Sequence, residues 1–129
     1  MMFEDSLVTC RFNTRMNVDL LSQALSAVTG WGFTWEEGMN VGRRIVHLLR
    51  AFNTRHGIIG RKVDRPSARY GSAPDSGPGK GRSLQEVWDK MLDAYYAGMG
   101  WDSMGKPLPE TLERYDLDYV ARDLASAHG

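Results

Sequence analysis

The chain has 129 residues, of which 42% are hydrophobic and 25% are charged, and these are values of an ordinary globular protein. Its 16 basic and 16 acidic residues balance, which argues against nucleic acid or an anionic membrane as a partner. No apolar run approaches the ~20 residues of a membrane span, the N-terminus lacks the pattern of a signal peptide, and a single cysteine fits a reducing compartment. Composition therefore predicts a cytoplasmic domain with no nucleic-acid or membrane partner.

The first clear helix is predicted over residues 18–29, where apolar residues recur at helical spacing. Asn17 is a favourable N-cap for this helix, and Gly30 supplies a left-handed C-terminal cap. Residues 2–12 have a spacing compatible with a short helix, but the segment is too brief to decide.

The longest predicted helix follows Thr34. Thr34 and Glu37 have the spacing of a capping box, and the helix should continue to about Arg55. Gly42 inside it costs about 1 kcal/mol relative to alanine, which a close helix crossing would explain, although the glycine could equally be tolerated without a function. The apolar residues of this helix form a wide stripe, which predicts packing on more than one neighbour: Val41, Ile45, Leu48 and Phe52, with Val46 and Leu49 beside them.

Residues 57–82 predict a long loop, because their six glycines, three prolines and three serines break any periodicity. Such loops usually indicate function, disorder or a segment that wraps over a partner. Ser83 and Glu86 then form a second capping box, which predicts a helix that ends at the glycines of residues 98–100.

Two shorter helices are predicted near the C-terminus. Pro109 is suited to the first turn of one, and residues 119–124 form a last amphipathic turn or two. Helices alternate with loops, and no segment has the alternating pattern of a strand. The sequence therefore predicts an all-α fold: a single domain over residues 1–129, built as a compact bundle of about five helices with one Gly/Pro-rich loop over residues 57–82.

The only cysteine closes the segment Asp5-Ser6-Leu7-Val8-Thr9-Cys10. This segment resembles the D-x-x-G-L-C element near the C-terminal end of the tungsten-containing aldehyde:ferredoxin oxidoreductases. In that family the aspartate meets the pterin cofactor, and the cysteine is the last ligand of a [4Fe–4S] cluster. The resemblance therefore implies pterin contacts for Asp5 and Thr9 and a metal-ligand role for Cys10. Val8 and Thr9 stand where the family has glycine and leucine.

Further landmarks follow in the family's order and extend the resemblance to about residue 117. Each is weak alone, but their common order makes coincidence a poor explanation. They are Leu25 to Trp31, similar to A-x-T-G-W; Gly42 to Ile45, G-E-R-I; Leu49 to Asn53, L-x-R-x-F-N; Asp64 to Arg69, D-x-L-P-x-R; Leu92 to Tyr96, L-D-x-Y-Y; Gly100 to Asp102, G-W-D; and Gly105 to Pro107, G-x-P.

The resemblance implies the C-terminal domain of an enzyme that oxidises aldehydes to carboxylic acids. The family carries tungsten on two pterins and passes electrons through the [4Fe–4S] cluster to ferredoxin or a similar acceptor. Three cluster cysteines and the pterin domain are missing from these 129 residues. The implied protein is therefore a cofactor-covering domain or small chain that needs a larger chain, binds no cofactor alone and is inactive alone. The alternative is a detached, non-catalytic helical module for protein interaction.

Several of these residues also have ordinary interpretations. A lone cysteine such as Cys10 is more often a small buried apolar residue, and Asp5 could be a solvated acid near a helix N-terminus. His47, His56 and His128 have neither a triad nor a zinc pattern, so no catalytic residue is predicted. Six aromatic residues at helix ends are more typical of a core than of a binding surface: Trp31, Trp35, Trp88, Tyr95, Tyr96 and Trp101.

Overall fold

The structure, a computed structural model, describes residues 2–15 and 17–127. Within these ranges it contains eight α-helices and no β-sheet, which confirms the all-α prediction. No helix in the described part of the chain has the length and apolar character needed to cross a membrane. His128 lies outside the described residues. The helices are α1 (Met2–Ser6), α2 (Arg11–Thr14), α3 (Val18–Thr29), α4 (Trp35–Arg55), α5 (Ala68–Gly71), α6 (Trp88–Met99), α7 (Pro109–Arg114) and α8 (Asp118–Ser126).

The number of helices differs from the predicted five because three are too short for periodicity to reveal. Helices α1, α2 and α5 have five, four and four residues. A single turn leaves too few positions to distinguish a helical face from chance. The five longer helices correspond to the five that were predicted.

The caps of α3 are those predicted from the sequence. The amide of Leu20 donates to Oδ1 of Asn17 at 3.0 Å. At the other end Gly30 has a φ of 75°, and its amide donates to the carbonyl of Ser26. Both ends of α3 are therefore determined locally, by the residue types that flank it.

The capping box of α4 is confirmed. The amide of Glu37 donates to Oγ1 of Thr34 at 3.2 Å, and the amide of Thr34 donates to Oε2 of Glu37 at 2.6 Å. The helix runs for 21 residues and ends at Arg55, as predicted. Reciprocal bonds of this kind satisfy two amides that the first helical turn leaves without a partner.

The predicted apolar stripe of α4 is wrong for its second half. Leu48 and Phe52 are 40% and 61% exposed, while the buried face of the same turns carries Arg50, Ala51 and Thr54. The hydroxyl of Thr54 donates to the carbonyl of Arg50 at 2.9 Å, so this polar residue is satisfied within the helix. Paired polar groups can be buried in place of apolar ones, and periodicity alone does not reveal such pairing.

The chain divides into two compact units, residues 1–49 and 50–129, with the boundary inside α4. The single domain over residues 1–129 stays a prediction. In the first unit, α1 lies against α4 through the buried ring of Phe3. A Cβ on Gly38 would come within 2.8 Å of that ring, whereas a Cβ on Gly42 would make only ordinary contacts with Phe3. A close approach is therefore required one turn earlier, at Gly38, and Gly42 fits the alternative of a glycine that is merely tolerated.

The core of the second unit is built from α7, α8 and the last turns of α4. Pro109 opens α7, as predicted. Ala51 and Leu112 are each 1% exposed and belong to one apolar cluster with Leu117, Val120 and Leu124. The last predicted helix is also confirmed, with its apolar face towards this cluster.

The predicted start of α6 is wrong. The helix begins at Trp88, five residues after the predicted cap, and Gly100 ends it with a φ of 67°. The hydroxyl of Ser83 donates instead to the carbonyl of Gly71 at 2.8 Å and accepts the amide of Gln85 at 3.2 Å. The side chain of Ser83, which was predicted to cap the helix, is thus bonded to Gly71, which lies twelve residues earlier in the chain.

Residues 72–82 form the exposed end of the predicted loop. Their backbone bonds are local, such as the bond from the amide of Gly81 to the carbonyl of Pro74 at 3.1 Å. Because few buried contacts hold this segment, limited trypsin digestion is expected to cut first after Lys80 or Arg82. Mass spectrometry of early fragments checks this. A first cut inside α4 or α6 would contradict both the loop and the helix boundaries.

Candidate functional site

The segment that resembles the cofactor-binding element forms the turn between α1 and α2. The amide and the hydroxyl of Thr9 both donate to the carbonyl of Glu4, at 3.3 and 3.0 Å. The carbonyl of Cys10 accepts the amides of Asn13 and Thr14 at 2.9 and 3.1 Å. Backbone bonds on both sides therefore fix the position of Cys10.

Glu4 holds this turn from inside. Its side chain is 1% exposed, and its Oε1 accepts the hydroxyl of Thr14 at 2.6 Å. A buried acid next to a short helix has no local pattern in the sequence, and so this residue was missed. Its role is to connect α1 with α2.

The three predicted site residues differ in what they present to solvent. Asp5 and Cys10 are exposed, so Cys10 is not the buried apolar residue that a lone cysteine more often is. Thr9 is half-buried, and its hydroxyl hydrogen is committed to the carbonyl of Glu4. Asp5 and Cys10 are thus open to a group outside the chain, and Thr9 retains only acceptor capacity.

Val8 adopts a backbone conformation that suits glycine. Its φ is +56°, in the left-handed region that a β-branched residue rarely enters. This is the position at which the resembling family has glycine. Its side chain is 94% exposed and so gains little from packing. The turn therefore holds a β-branched residue in a conformation that glycine adopts without strain, and Val8 bears that strain.

Val8→Gly is expected to raise the free energy of unfolding by about 1 kcal/mol. The left-handed conformation costs an L-residue roughly 1–2 kcal/mol, and the greater entropy of an unfolded glycine returns part of that gain. Urea denaturation measures the change. The control is Val28→Gly, because Val28 is also exposed but lies in the right-handed helix α3. The control should lose stability, and an equal loss at both positions would contradict the strain.

The described residues do not form a complete metal site by themselves. Among residues 2–15 and 17–127, no three His, Cys, Asp or Glu side chains are grouped so that they could hold a metal ion. A [4Fe–4S] cluster is held by a set of four thiolates in its usual form. Exposed Cys10 therefore fits one ligand position in a site shared with other residues, and exposed Asp5 fits a contact to a group bound beside it.

A second constellation, within residues 50–129, centres on Asp64. Nη1 and Nη2 of Arg50 donate to its Oδ1 and Oδ2 at 2.8 and 2.6 Å, and the hydroxyl of Tyr96 also donates to Oδ2. Nε of Arg50 donates to the carbonyl of Gly105 at 2.7 Å. The guanidinium lies 4.9 Å from the ring centroid of Trp101. We call these five residues the Asp64 network.

The Asp64 network is formed by residues from separate landmarks of the family resemblance. They come from the L-x-R-x-F-N, D-x-L-P-x-R, L-D-x-Y-Y, G-W-D and G-x-P segments, in that order: Arg50, Asp64, Tyr96, Trp101 and Gly105. The sequence identified each segment, but only the fold places them in contact. Together these residues hold the ion pair between Arg50 and Asp64 in one position.

Charges in the network are balanced at neutral pH. Burial acts to raise the pKa of Asp64, but hydrogen bonds from Arg50 and Tyr96, together with the charge of Arg50, outweigh it and hold this pKa below its usual range. Burial, followed by the hydrogen bond to Asp64, raises the pKa of Tyr96 to about 12. Asp64 is therefore a carboxylate and Tyr96 a neutral phenol. Neither is poised for proton transfer near pH 7.

Tyr96 is expected to make the stability of the folded chain fall at alkaline pH. Its folded-state pKa of about 12 lies above the ~10 of an unfolded tyrosine, so its contribution to stability is complete below about pH 10 and is lost as the pH rises towards 12. Denaturation curves across this range measure the loss. Tyr96→Phe should reduce it, whereas Tyr95→Phe, at a half-exposed neighbour, should leave it unchanged.

The aromatic residues are only partly the core that was predicted. Tyr96 and Trp101 are buried, at 2% and 7% exposed, but Trp31, Trp35 and Tyr95 are each at least half exposed. Four of the six aromatic residues, Trp88, Tyr95, Tyr96 and Trp101, line a cavity of about 400 Å³ beside the Asp64 network. Its lining consists of Arg50, Asp64, Trp88, Met91, Leu92, Tyr95, Tyr96 and Trp101.

Comparison with known proteins gives a family match over most of the chain. The protein-family model described as "Aldehyde ferredoxin oxidoreductase, domains 2 & 3" matches residues 1–117. The tungsten-containing aldehyde ferredoxin oxidoreductase of Pyrococcus furiosus is 34% identical over 115 residues, which are 88% of this chain and 19% of that protein. The aliphatic sulfonate oxidoreductase, WOR-like subunit, of the same organism is 30% identical over 128 residues, 95% of this chain and 20% of that protein.

A solved structure is also similar. It is the active-site complex BamBC of benzoyl coenzyme A reductase in complex with 1,5-dienoyl-CoA, with a TM-score of 0.69 and 26% identity. The match covers 86% of this chain and 16% of that one. The chain thus spans no more than a fifth of the length of these relatives.

Proposed function

Because this chain belongs to the aldehyde ferredoxin oxidoreductase family, as its motifs predicted, we propose that it is the C-terminal, cofactor-covering part of an enzyme that oxidises aldehydes to carboxylic acids. It acts either as a domain of a longer protein or as a small separate chain. The observation that carries the proposal is the turn between α1 and α2, in which backbone bonds fix Cys10 while Cys10 and Asp5 remain exposed.

Each residue of the turn has a role in this proposal. The thiolate of Cys10 is one ligand of a [4Fe–4S] cluster, and the carboxylate of Asp5 accepts hydrogen bonds from a pterin. Thr9 contributes an acceptor beside them and holds the turn through Glu4. In the assembled enzyme, tungstopterin would supply the two-electron oxidation of the aldehyde, and the cluster would pass those electrons towards a ferredoxin-type acceptor.

The proposal requires a larger chain or segment in the cytoplasm. That partner supplies the pterin-binding domain and the remaining cluster thiolates, which a single Cys10 cannot replace. A reducing compartment keeps the lone cysteine available as a thiolate ligand. Tungstopterin and cluster belong to the assembled enzyme, and we expect the isolated chain to bind neither.

A second candidate is a non-catalytic module for protein interaction. The observation that favours it is the exposure of large apolar side chains near the turn, with Val8 94% and Phe12 90% exposed. Such residues suit contact with another protein whether or not a metal is present. The two candidates therefore differ in metal content and chemistry, not in the need for a partner.

The decisive experiment is anaerobic purification of the tagged chain from its natural host. If the proposal holds, the tagged chain is recovered with tungsten and iron, either within one longer polypeptide or together with a larger chain, and this material reduces a viologen dye when an aldehyde is added. The isolated chain should have no such activity. Copurification of a larger chain without tungsten or iron would support the interaction module instead.

Cys10 is tested in the same complex. Cys10→Ser should lower the iron content and the dye reduction, because one cluster ligand is removed. The control is Asn13→Ser, an exposed change three residues away that removes no thiol. Full iron content in the Cys10→Ser complex, or aldehyde oxidation by the isolated chain, would overturn the proposed role.

A further inference from the structure

The cavity beside the Asp64 network has a rigid base. Leu92, Tyr96 and Trp101 are nearly inaccessible to solvent, at 6%, 2% and 7% exposed. Arg50 and Asp64 complete the base and are joined by two hydrogen bonds. A surface that the fold already holds in place loses little conformational entropy when a ligand binds.

The aromatic walls are fixed in orientation as well. Nε1 of Trp88 donates to the carbonyl of Asp64 at 3.0 Å. The ring of Tyr95 meets that of Trp101 edge-on, with centroids 5.5 Å apart and planes at 88°. The walls therefore present ring faces and edges in a set arrangement, which favours contact with another ring.

The polar groups around the cavity are engaged with one another. The charges of Arg50 and Asp64 cancel, the hydroxyl of Tyr96 donates to Asp64, and the indole N–H of Trp88 donates to the backbone. A charged ligand would lose its hydration here without gaining a free partner of opposite charge. A neutral ligand avoids that penalty.

The size of the cavity fits a small molecule. Its volume of about 400 Å³ lies within the roughly 300–1,000 Å³ of ligand sites. Of its lining residues, Met91 and Tyr95 are half exposed and so lie at its rim. Apolar walls hold water poorly, so replacing that water by an apolar group is favourable.

We propose that this cavity is a binding site for a neutral, planar aromatic molecule of about two fused rings. The ring lies among Trp88, Tyr95 and Trp101, above the closed Arg50–Asp64 pair. The proposal goes beyond the proposed function and does not rest on it, because the site lies wholly within residues 50–129 and needs neither cluster nor pterin.

The test uses the full chain and two matched probes, 2-naphthol and 2-naphthoate. Isothermal titration calorimetry should give saturable, one-to-one binding of 2-naphthol. The carboxylate of 2-naphthoate should weaken binding on the order of tenfold, because Arg50, the cation that lines the cavity, is already paired with Asp64. Equal or tighter binding of 2-naphthoate would overturn the neutral-ligand proposal, and absence of 2-naphthol binding would overturn the site itself.

Two variants locate the binding. Met91→Trp places a larger side chain at the rim and should weaken 2-naphthol binding on the order of tenfold or more. The control is Met39→Trp, because Met39 is a partly exposed methionine in α4 that does not line the cavity. Circular dichroism establishes that both variants fold. Equal affinity in Met91→Trp and Met39→Trp would show that the probe binds elsewhere and would overturn the proposal.

Discussion

Gly105→Ala is expected to destabilise the chain by about 2–5 kcal/mol. Gly105 has a φ of +80°, which costs an L-residue roughly 1–2 kcal/mol. A Cβ would also lie 2.2 Å from Nη2 of Arg50 and 2.8 Å from Cζ of Tyr96. Neither group can move freely, because both hold Asp64, and overpacking of this kind typically costs about 1–3 kcal/mol.

The matched control is Gly98→Ala, in α6. A Cβ at Gly98 would meet nothing within 4 Å, and its backbone is helical, so alanine should stabilise the chain by up to about 1 kcal/mol. Urea denaturation followed by circular dichroism measures both variants. If Gly105→Ala were as stable as Gly98→Ala, the close packing of the Asp64 network would be incorrect.

Arg50→Met is expected to cost about 3–5 kcal/mol. Methionine preserves much of the apolar stem but removes the partner of a mostly buried carboxylate, since the side chains of Arg50 and Asp64 are 9% and 21% exposed. The carbonyl of Gly105 loses its donor as well. Much of the cost is the charge of Asp64 left without a partner, so adding Asp64→Leu should recover part of it.

The control for this change is Arg55→Met, five residues along the same helix. Arg55 pairs with Asp123 at 3.0 Å, but both side chains are about half exposed. Exposed pairs of this kind contribute roughly 0.2–1 kcal/mol. Equal losses of stability at Arg50 and Arg55 would contradict the burial of the first pair.

Local chemistry explains what was predicted well. The caps at Asn17, Gly30 and Thr34 each involve residues within four positions of one another, so their types and spacing suffice. The same holds for Pro109 at the start of α7. The all-α class then follows, because the regular elements that the structure describes in residues 2–15 and 17–127 are all helices.

Contacts between distant residues explain what was missed. Ser83 has a good capping sequence, yet its hydroxyl bonds the carbonyl of Gly71, twelve residues away. Arg50 is a charged residue on a buried helical face because Asp64 and Gly105 meet it there. Neither partner can be assigned from spacing, so the Asp64 network became visible only in three dimensions.

The site residues were located by resemblance and not by physical pattern. Nothing in the types of Asp5 or Cys10 alone distinguishes them from a surface acid and a spare thiol. The structure adds that both are exposed, and that Val8 between them has a left-handed backbone that suits glycine. Their roles towards pterin and cluster stay predictions.

The close contact between the Phe3 ring and Gly38 should affect how fast nearby backbone amides exchange hydrogen with solvent. Phe3 is the main buried apolar residue of α1, and its ring occupies the space that any side chain at position 38 would need. If thermal fluctuation releases that ring, α1 loses its apolar contact with α4, and we expect the bond from the amide of Thr9 to the carbonyl of Glu4 to open with it. Deuterium uptake at Thr9 should therefore report the local opening of α1, at a lower free energy than global unfolding. We therefore expect Gly38, thirty-three positions downstream of Asp5, to influence how often the turn that carries Asp5 and Cys10 opens.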